Sequence, residues 1–198
     1  MTRLYLLRHG EPEADSRGRC YGRLDVGLSP RGFEQAERAA ARIGDAPLAA
    51  IYASPRRRAL ESARPLALPR GLPVRIEEDL REMDFGEIEG LTYDEVRERR
   101  PELYAAWMER PTEVTFPGGE SYALVRARVL GVVDRLRRAH DGQSIALVAH
   151  GGTTRTALAA ALGLPDAHIF RLAQDYAALS IIEWIGETPI VRLVNALP

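Results

Sequence analysis

The sequence contains no lysine, and this absence limits the chemistry that is open to it. All 27 basic residues are arginine, which stays protonated and offers a planar fork suited to phosphate and carboxylate. A Schiff-base lysine and a Walker-type phosphate loop are therefore excluded. The single cysteine, Cys20, cannot form a disulfide within the chain. It also lacks the arginine six residues later that a cysteine-dependent phosphatase loop carries, so we expect an ordinary thiol.

A charge imbalance and long apolar runs are also missing. The 27 basic and 28 acidic residues leave a net charge of −1, so the field of the whole protein does not attract nucleic acid or an anionic membrane. No run reaches the roughly 18 apolar residues of a membrane span, and the N-terminus has no secretory signal. We therefore expect a cytoplasmic protein without nucleic-acid or membrane partners. A monomer and a homodimer both stay open.

Short apolar runs alternate with segments of helical period, which indicates an α/β protein with a mostly parallel sheet flanked by helices. The 198 residues show no repeat or boundary and fit a single domain, 1–198. The last two strands are separated by "IGETP", which predicts a hairpin and an antiparallel edge. The candidate strands are Arg3–Leu7, Ala49–Ala53, Val74–Glu77, Ser144–Ala149, Ala178–Trp184 and Ile190–Val194.

Helix signals lie between these strands. Ser29 and Pro30 predict a helix start and Gly44 its end, and a second helix is predicted from Ser54 as N-cap to the residue before Pro65. A third helix is predicted within 120–139, with its arginines on a solvated face: Arg126, Arg128, Arg135, Arg137 and Arg138. The irregular segment 84–119 holds two short helical patterns, Tyr93–Arg99 and Glu102–Glu109, and is expected to form a smaller cover over a site.

Unusual residues follow two of the predicted strands directly. "LYLL" runs into Arg8, His9 and Gly10, and "SIALVA" runs into His150 and Gly151. Ligands of an open parallel sheet bind beyond the carboxyl ends of its strands. The two histidines are therefore expected to face one region.

Two further strand ends add charge to the same region. "AAIYA" leads through Ser54 to the triplet 56–58, "RRR", at the start of a helix, where backbone N–H groups favour an anion. The strand at 74–77 is followed by "EDLREMDFGEIEG", which carries Glu82. By this reasoning other acids compete with Glu82 for one role: Glu77, Glu78, Asp79, Asp84 and Glu87.

Together these residue types suit phosphoryl transfer. Arginine forks neutralise phosphate oxygens, a neutral imidazole attacks phosphorus, and a carboxylic acid protonates the departing alkoxide. Neighbouring arginines should lower the histidine pKa, which keeps the nucleophile neutral near pH 7. No metal or cofactor is expected, because the two histidines lack the spacing of a zinc motif.

The motifs "LLRHGE", "SPRRRALESA", "LREMDFGEIEG", "FPGGES" and "VAHGG", in this order, resemble the histidine phosphatase superfamily, also called phosphoglycerate-mutase-like. The resemblance covers nearly the whole chain and implies a three-layer α/β/α fold and a phosphohistidine mechanism. It implies His9 as nucleophile, Glu82 as general acid and later base, and His150 as the second histidine on the phosphoryl group. It also implies a phosphate clamp of Arg8 and Arg58, the latter because it directly precedes Ala59. The implied substrate-binding set is Arg8, Arg58, His150 and Gly151.

The sequence departs from the family pattern at several positions. Pro12 and Asp15 stand where the family often has Thr and Asn, and Arg56 replaces an apolar residue. Ser62 keeps the hydroxyl of the usual Thr. The short cover is more similar to the phosphatase branch than to the longer mutases, in particular to α-ribazole phosphatases and broad sugar-phosphate phosphatases.

Three functions stay open at this point. The first is a metal-independent phosphomonoesterase acting on a small-molecule phosphate ester, with α-ribazole phosphate as one candidate. The second is a cofactor-dependent phosphoglycerate mutase, and the third is a non-catalytic module that binds a phospho-ligand. The presence of Arg8, His9, Arg58, Glu82 and His150 together favours an enzyme, because a binding module could have lost any one of them.

Overall fold

The computed structural model describes residues 1–16 and 18–198. Within these residues, six strands form one sheet in the order β3-β2-β4-β1-β5-β6. Strands β1 to β4 run parallel, whereas β5 and β6 form an antiparallel hairpin at the edge. The predicted mostly parallel sheet with an antiparallel edge is thereby confirmed. The strands are β1 (Thr2–Arg8), β2 (Leu48–Ala53), β3 (Val74–Ile76), β4 (Ser144–Ala149), β5 (Leu179–Ile185) and β6 (Thr188–Ala196).

Helices cover both faces of the sheet. They are α1 (Pro30–Ile43), α2 (Arg57–Ala67), α3 (Tyr93–Arg99), α4 (Pro101–Glu109), α5 (Tyr122–Ala139) and α6 (Gly151–Ala161). Short 3-10 helices lie at Ala14–Ser16, Leu68–Arg70, Glu78–Leu80, Gly86–Ile88 and Asp166–Arg171. None of the helices in the described part of the chain has the length and apolar character needed to cross a bilayer.

The alternation of side chains along β1 builds the two apolar layers. Leu4 and Leu6 pack on the face covered by α5 and α6, whereas Tyr5 and Leu7 pack on the face covered by α1 and α2. All four side chains are buried, because neighbouring residues of a strand point to opposite faces. The strand is thus covered on both sides, and its carboxyl end delivers the next residues to the mouth of the sheet.

The second helix differs from its prediction at both ends. Ser54 does not cap it, since α2 begins at Arg57 and Ser54 hydrogen-bonds elsewhere. The helix also continues through Pro65 to Ala67. A proline inside a helix removes one hydrogen bond and costs about 3 kcal/mol. Here Leu66 and Ala67 are both buried against the sheet, and their burial offsets that cost.

The sequence analysis predicts that the arginines of α5 lie on a solvated face, and this holds for only some of them. Three of them are largely exposed: Arg126, Arg135 and Arg138. Arg137, however, lies over the ring of Trp184 with its side chain only 12% exposed. Arg128 is buried further, with 9% of its side chain exposed. The prediction was wrong for these two because long-range partners cover them.

Arg128 and Glu120 form a largely buried ion pair that ties α5 to the segment bearing Glu82. The Nε and Nη2 atoms of Arg128 each lie 2.9 Å from a carboxylate oxygen of Glu120. Glu120 also accepts the backbone N–H of Asp84 at 3.0 Å. The same guanidinium donates to the backbone carbonyls of Asp79, Arg81 and Glu82. The loop after β3 is therefore held at several points by one arginine.

Opposing effects act on the Glu120 carboxyl. Burial raises its pKa, but the hydrogen bond and the charge of Arg128, together with the Asp84 N–H and Arg81, outweigh burial and lower the pKa overall. A carboxyl with a lowered folded-state pKa stabilises the protein above its ordinary pKa, and this contribution disappears as the pH falls through the folded-state value.

We predict that Glu120→Gln lowers the free energy of unfolding by about 1.5–3 kcal/mol at pH 7, the range for a lost hydrogen bond to a charged group. The loss should shrink as the pH falls below 4.5, the ordinary value for Glu, since wild-type Glu120 then becomes protonated. Urea unfolding of both proteins between pH 7 and pH 3.5 measures this difference. Glu98→Gln, at an exposed position on α3, is the control. A difference between wild type and Glu120→Gln that does not change with pH would contradict the ionic role.

Candidate active site

His9 and His150 meet because β1 and β4 are adjacent and parallel. Arg8, the last residue of β1, pairs with Ala149, the last residue of β4. The next residue of each chain segment is a histidine, and the two ring centroids lie 5.2 Å apart with the planes at 63°. Both side chains are buried. The structure thus brings together the two histidines that the sequence places at strand ends.

The hydrogen bonds of His9 define its neutral form. Its Nδ1 lies 2.7 Å from the carbonyl oxygen of Gly10, and because a carbonyl only accepts, Nδ1 carries the proton and Nε2 keeps a lone pair. The peptide of Gly10 is itself held, since its N–H donates to Ser62 Oγ at 2.9 Å. A Cβ at Gly10 would lie 2.3 Å from the carbonyl oxygen of Gly32. Only glycine fits this close approach of two backbones.

His150 takes the opposite tautomer. Arg58 Nε donates to His150 Nδ1 at 3.3 Å, and arginine cannot accept, so the ring proton lies on Nε2. Nε2 then donates to Ser54 Oγ at 2.7 Å. The hydroxyl predicted to cap α2 therefore orients this imidazole instead.

Burial and the neighbouring cations keep both rings uncharged. The pKa of His9 lies well below its ordinary value of 6.5 because of burial first, then Arg58 and Arg8, with the Gly10 carbonyl opposing them. The pKa of His150 is also well below 6.5, from burial, Arg58, His9 and Arg8 in that order. Desolvation is thus a larger cause than the arginines on which the sequence prediction relied.

Arg58 is fully buried and binds the loop before α1. Its Nη1 donates to the carbonyl of Leu24 at 2.8 Å, and its Nη2 donates to those of Tyr21 and Gly22 at 3.0 and 3.2 Å. Burial lowers its pKa. Arg58 therefore links the loop 21–24 to His150 and places its charge at the base of the site.

Arg8 keeps a donor free for a ligand. Its guanidinium lies 4.1 Å from the centre of the Tyr176 ring, and Nη1 donates to the carbonyl of Gln174. Its Nε is buried and has no hydrogen-bond partner among residues 1–16 and 18–198. An unsatisfied buried donor is costly, so an acceptor on a ligand would be favoured there.

Glu82 is placed by two backbone N–H groups. Its Oε1 accepts from Met83 at 2.9 Å, and its Oε2 accepts from Gly152 in the first turn of α6 at 3.0 Å. A Cβ at Gly152 would lie 2.3 Å from Oε1, so the carboxylate occupies the space that a side chain would need. The acids that competed with Glu82 in the sequence analysis do not line the cavity described below: Glu77, Glu78, Asp79, Asp84 and Glu87.

These side chains surround one cavity of about 330 Å³. The residues predicted for the site all line it: Arg8, His9, Arg58, Glu82, His150 and Gly151. The segment 84–119 also contributes to its wall, through Phe85, Tyr93, Trp107 and Pro111. Tyr21 and Tyr176 close another side through a hydrogen bond of 2.9 Å between their hydroxyls. The sequence analysis missed both tyrosines and Arg155, because each lies outside the quoted motif ends.

Three other residues noted in the sequence analysis have no direct role in the proposed site, although Cys20 lines the cavity and the charge of Arg56 helps to lower the pKa of His150. Asp15 is exposed and does not line the cavity. Arg56 precedes α2 as its N-cap residue without a side-chain cap bond, and nothing in the structure explains why it replaces an apolar residue. Cys20 is buried, and burial together with the charge of Glu89 raises its pKa to about 12, in keeping with an ordinary thiol. Across the described ranges, no cluster of three His, Cys, Asp or Glu side chains is arranged to hold a metal ion.

A family model, curated proteins and solved structures all match this chain over most of its length. A family model described as the histidine phosphatase superfamily (branch 1) matches residues 4–197. Phosphoserine phosphatase 1 of Hydrogenobacter thermophilus is 36% identical over 195 residues, which cover 98% of this chain and 92% of the relative. The crystal structure of the α-ribazole phosphatase from Shigella flexneri has a TM-score of 0.89 at 29% identity, covering 99% of this chain and 98% of that one.

A longer relative also matches. A bifunctional protein of Mycobacterium tuberculosis is 40% identical over 198 residues, covering 98% of this chain but 54% of the relative. The chain thus spans about half the length of that curated relative. The family match extends over almost all of the chain. By this match and by the relatives' identity, the chain belongs to the histidine phosphatase superfamily.

Proposed function

We propose that this chain is a metal-independent phosphomonoesterase that hydrolyses a small-molecule phosphate ester through a phosphohistidine at His9. In the first step the lone pair on His9 Nε2 attacks phosphorus, a P–N bond forms and the P–O bond to the alcohol breaks. Glu82, in its protonated form, gives its proton to the leaving alkoxide. In the second step Glu82 takes a proton from water, and the resulting nucleophile breaks the P–N bond and releases phosphate.

The remaining residues stabilise the phosphoryl group during transfer. Arg8, whose Nε has no partner among the described residues, and Arg58 supply positive charge to the non-bridging oxygens, which is the main requirement of a loose transition state. His150 donates from Nε2 and, by shifting this donor from Ser54, serves the transferring group. Gly151 has no side chain and lets the oxygens approach the first turn of α6.

One observation carries the proposal: the tautomer of His9. The bond from Nδ1 to the Gly10 carbonyl leaves Nε2 unprotonated, and the lowered pKa keeps it so at neutral pH. An activated nucleophile needs such an orienting partner. A module that only bound phosphate would gain more from a charged imidazolium.

The substrate is the finer part of the proposal. Relatives carry names that specify phosphoserine and α-ribazole phosphate, so the phosphate end of the site is expected to be shared and the alcohol end to differ. α-Ribazole phosphate is one candidate ester. A phosphoglycerate mutase would return the phosphoryl group to substrate, and product analysis in water distinguishes the two. The cytoplasmic location and the 84–119 cover of a single domain stay predictions.

The phosphohistidine is tested by labelling. Wild-type protein mixed briefly with a ³²P-labelled sugar phosphate in EDTA should carry acid-labile, base-stable label after denaturation. His9→Ala should carry none, because it lacks the nucleophile, and His168→Ala, outside the cavity, should label like wild type. Label that persists in His9→Ala would assign the nucleophile to another residue. Inhibition by EDTA that magnesium reverses would contradict the metal-independent mechanism.

The role of Glu82 is tested through Gly152. Gly152→Ala places a methyl group where Oε1 now lies, and the flexible carboxylate must move. We predict the pattern of Glu82→Gln: a loss in kcat of about 10²–10⁴-fold for alkyl phosphates, the range for general acid catalysis, and a much smaller loss for p-nitrophenyl phosphate, whose leaving group needs little protonation. Gly131→Ala on α5, where a Cβ meets no atom within 4 Å, is the control. Equal losses for both esters would mean that the methyl group blocks substrate.

The protonation states are tested by ¹⁵N NMR of histidine-labelled protein. Because the pKa values of both rings lie well below 6.5, His9 and His150 should stay neutral when the pH is lowered from 8 to 6. The spectra should also show opposite tautomers, Nδ1–H for His9 and Nε2–H for His150, with His9→Ala and His150→Ala assigning the signals. Protonation of either ring near pH 6.5 would refute the neutral nucleophile.

A further inference from the structure

Arg155 is a cation in the cavity wall that the proposed chemistry does not use. It lies on α6, five residues after His150, and lines the cavity. Its Nε donates to the carbonyl of Leu172 at 2.8 Å, and its guanidinium lies 5.1 Å from the centre of the Phe170 ring. These contacts fix the side chain, and they leave the outer nitrogens without a charged acceptor.

Arg155 has no ion-pair partner among the described residues, unlike the other outer arginine of the wall. Arg19 donates to the carbonyls of Asp15 and Gly90 and approaches the carboxylate of Glu95 at 3.5 Å. For Arg155, no carboxylate in the described ranges lies within 4.0 Å, the limit for an ion pair. Its contacts are the carbonyl of Leu172 and the ring of Phe170. A partly buried charge without a partner is costly, and an anionic ligand group would relieve that cost.

The electrostatic surroundings agree with this interpretation. Burial lowers the pKa of Arg155, and the charge of Arg8 lowers it further, while Glu82 opposes both. Glu82 is the carboxylate whose charge acts on Arg155, but its oxygens already accept the N–H groups of Met83 and Gly152. Glu82 thus acts on Arg155 without forming an ion pair with it, and a ligand anion that binds Arg155 need not break an ion pair among the described residues.

The position of Arg155 limits how far a group bound to it can lie from a phosphate bound to Arg8. A methyl carbon on Gly151 would lie 3.5 Å from Cζ of Arg8 and 3.7 Å from Nη1 of Arg155. The two guanidinium groups thus flank a single residue. An anion held by Arg155 would then be one short spacer away from a phosphate held by Arg8, as in a phosphorylated acid of two or three carbons.

We propose that Arg155 is a specificity-determining residue that binds a carboxylate of the substrate, so that the preferred esters are short phosphorylated carboxylic acids. This inference rests on the proposed function for the identity of the phosphate site. The planar fork of arginine matches a carboxylate in two hydrogen bonds. The ring of Phe170, 5.1 Å from the guanidinium carbon, adds a cation–π contact that helps to hold the side chain in place.

A pair of phosphonates tests this without turnover. 3-Phosphonopropionate and propylphosphonate have the same chain length and differ in a carboxylate against a methyl group. Calorimetric titration of wild type should show a preference for the carboxylate compound, and Arg155→Met should weaken its binding roughly 10- to 100-fold, as for a lost bond to a charged group. Binding of propylphosphonate should change less than about threefold. Arg155→Lys should retain part of the preference, because the charge remains.

Arg19→Met is the matched control, since Arg19 also lines the cavity but already has acceptors. It should leave the ratio of the two affinities unchanged. An equal loss for both phosphonates in Arg155→Met would place Arg155 on the transferring phosphate and overturn the proposal. Should Arg155→Met fail to fold, the wild-type ratio decides: no preference for the carboxylate compound also overturns it.

Hydrolysis of 3-phosphoglycerate and glycerol 3-phosphate then separates this inference from the proposed function. A wild-type enzyme that hydrolyses both esters equally, with a labelled His9, would retain the phosphatase and remove the carboxylate site. A protein that binds the carboxylate phosphonate through Arg155 but releases no phosphate from any ester would retain the carboxylate site and remove the phosphatase.

Discussion

The parallel pairing of β1 with β4 is the constraint on which the site depends. Its register sets Arg8 opposite Ala149, so both strands end at one level and both histidines follow at once. The register is itself set by the alternation of Leu4 and Leu6 on one face with Tyr5 and Leu7 on the other. A slip of one residue would exchange the two faces, so that Leu4 and Leu6 would face α1 and α2 while Tyr5 and Leu7 would face α5 and α6. The packing of an apolar sheet therefore aligns a polar site.

The site is electropositive in a protein that is close to neutral overall. Burying an arginine and two histidines together is costly, and two features of the site reduce this cost. Arg58 keeps its charge by donating to three loop carbonyls and to His150, whereas both histidines give up the charged form because burial and Arg58 lower their pKa. What is left is a donor on Arg8, without a partner in the described part of the chain, beside a neutral ring. Such a site complements a phosphate dianion and does not require the whole protein to be basic.

Sequence reasoning succeeded where the cause is local and failed where the partner is distant. Strand ends, the hairpin and the two histidines follow from apolar runs and turn residues. Ser54 was misassigned as a helix cap because its partner, His150, lies 96 residues away, and Pro65 was misassigned as a helix end because burial of the following residues is a tertiary effect. Arg128 was misassigned as solvated because the loop carbonyls that accept its hydrogen bonds are distant in sequence. Among six nearby acids, Glu82 could be selected only by family resemblance, since the N–H of Gly152 that positions it lies 70 residues on.

The wall of the cavity is built from different parts of the molecule. His9 and His150, which follow strand ends, line one part of it. Trp107 and Cys20 also line it, and they belong to a separate apolar cluster that includes Ile88, Val96 and Phe116. Met83, which directly follows Glu82, packs against this cluster and also against the core of the sheet. A change of volume in this cluster would therefore act directly on the residue beside the candidate acid, whereas His9 and His150 are not part of the cluster. Packing through Met83 thus connects this cluster to the segment that bears Glu82.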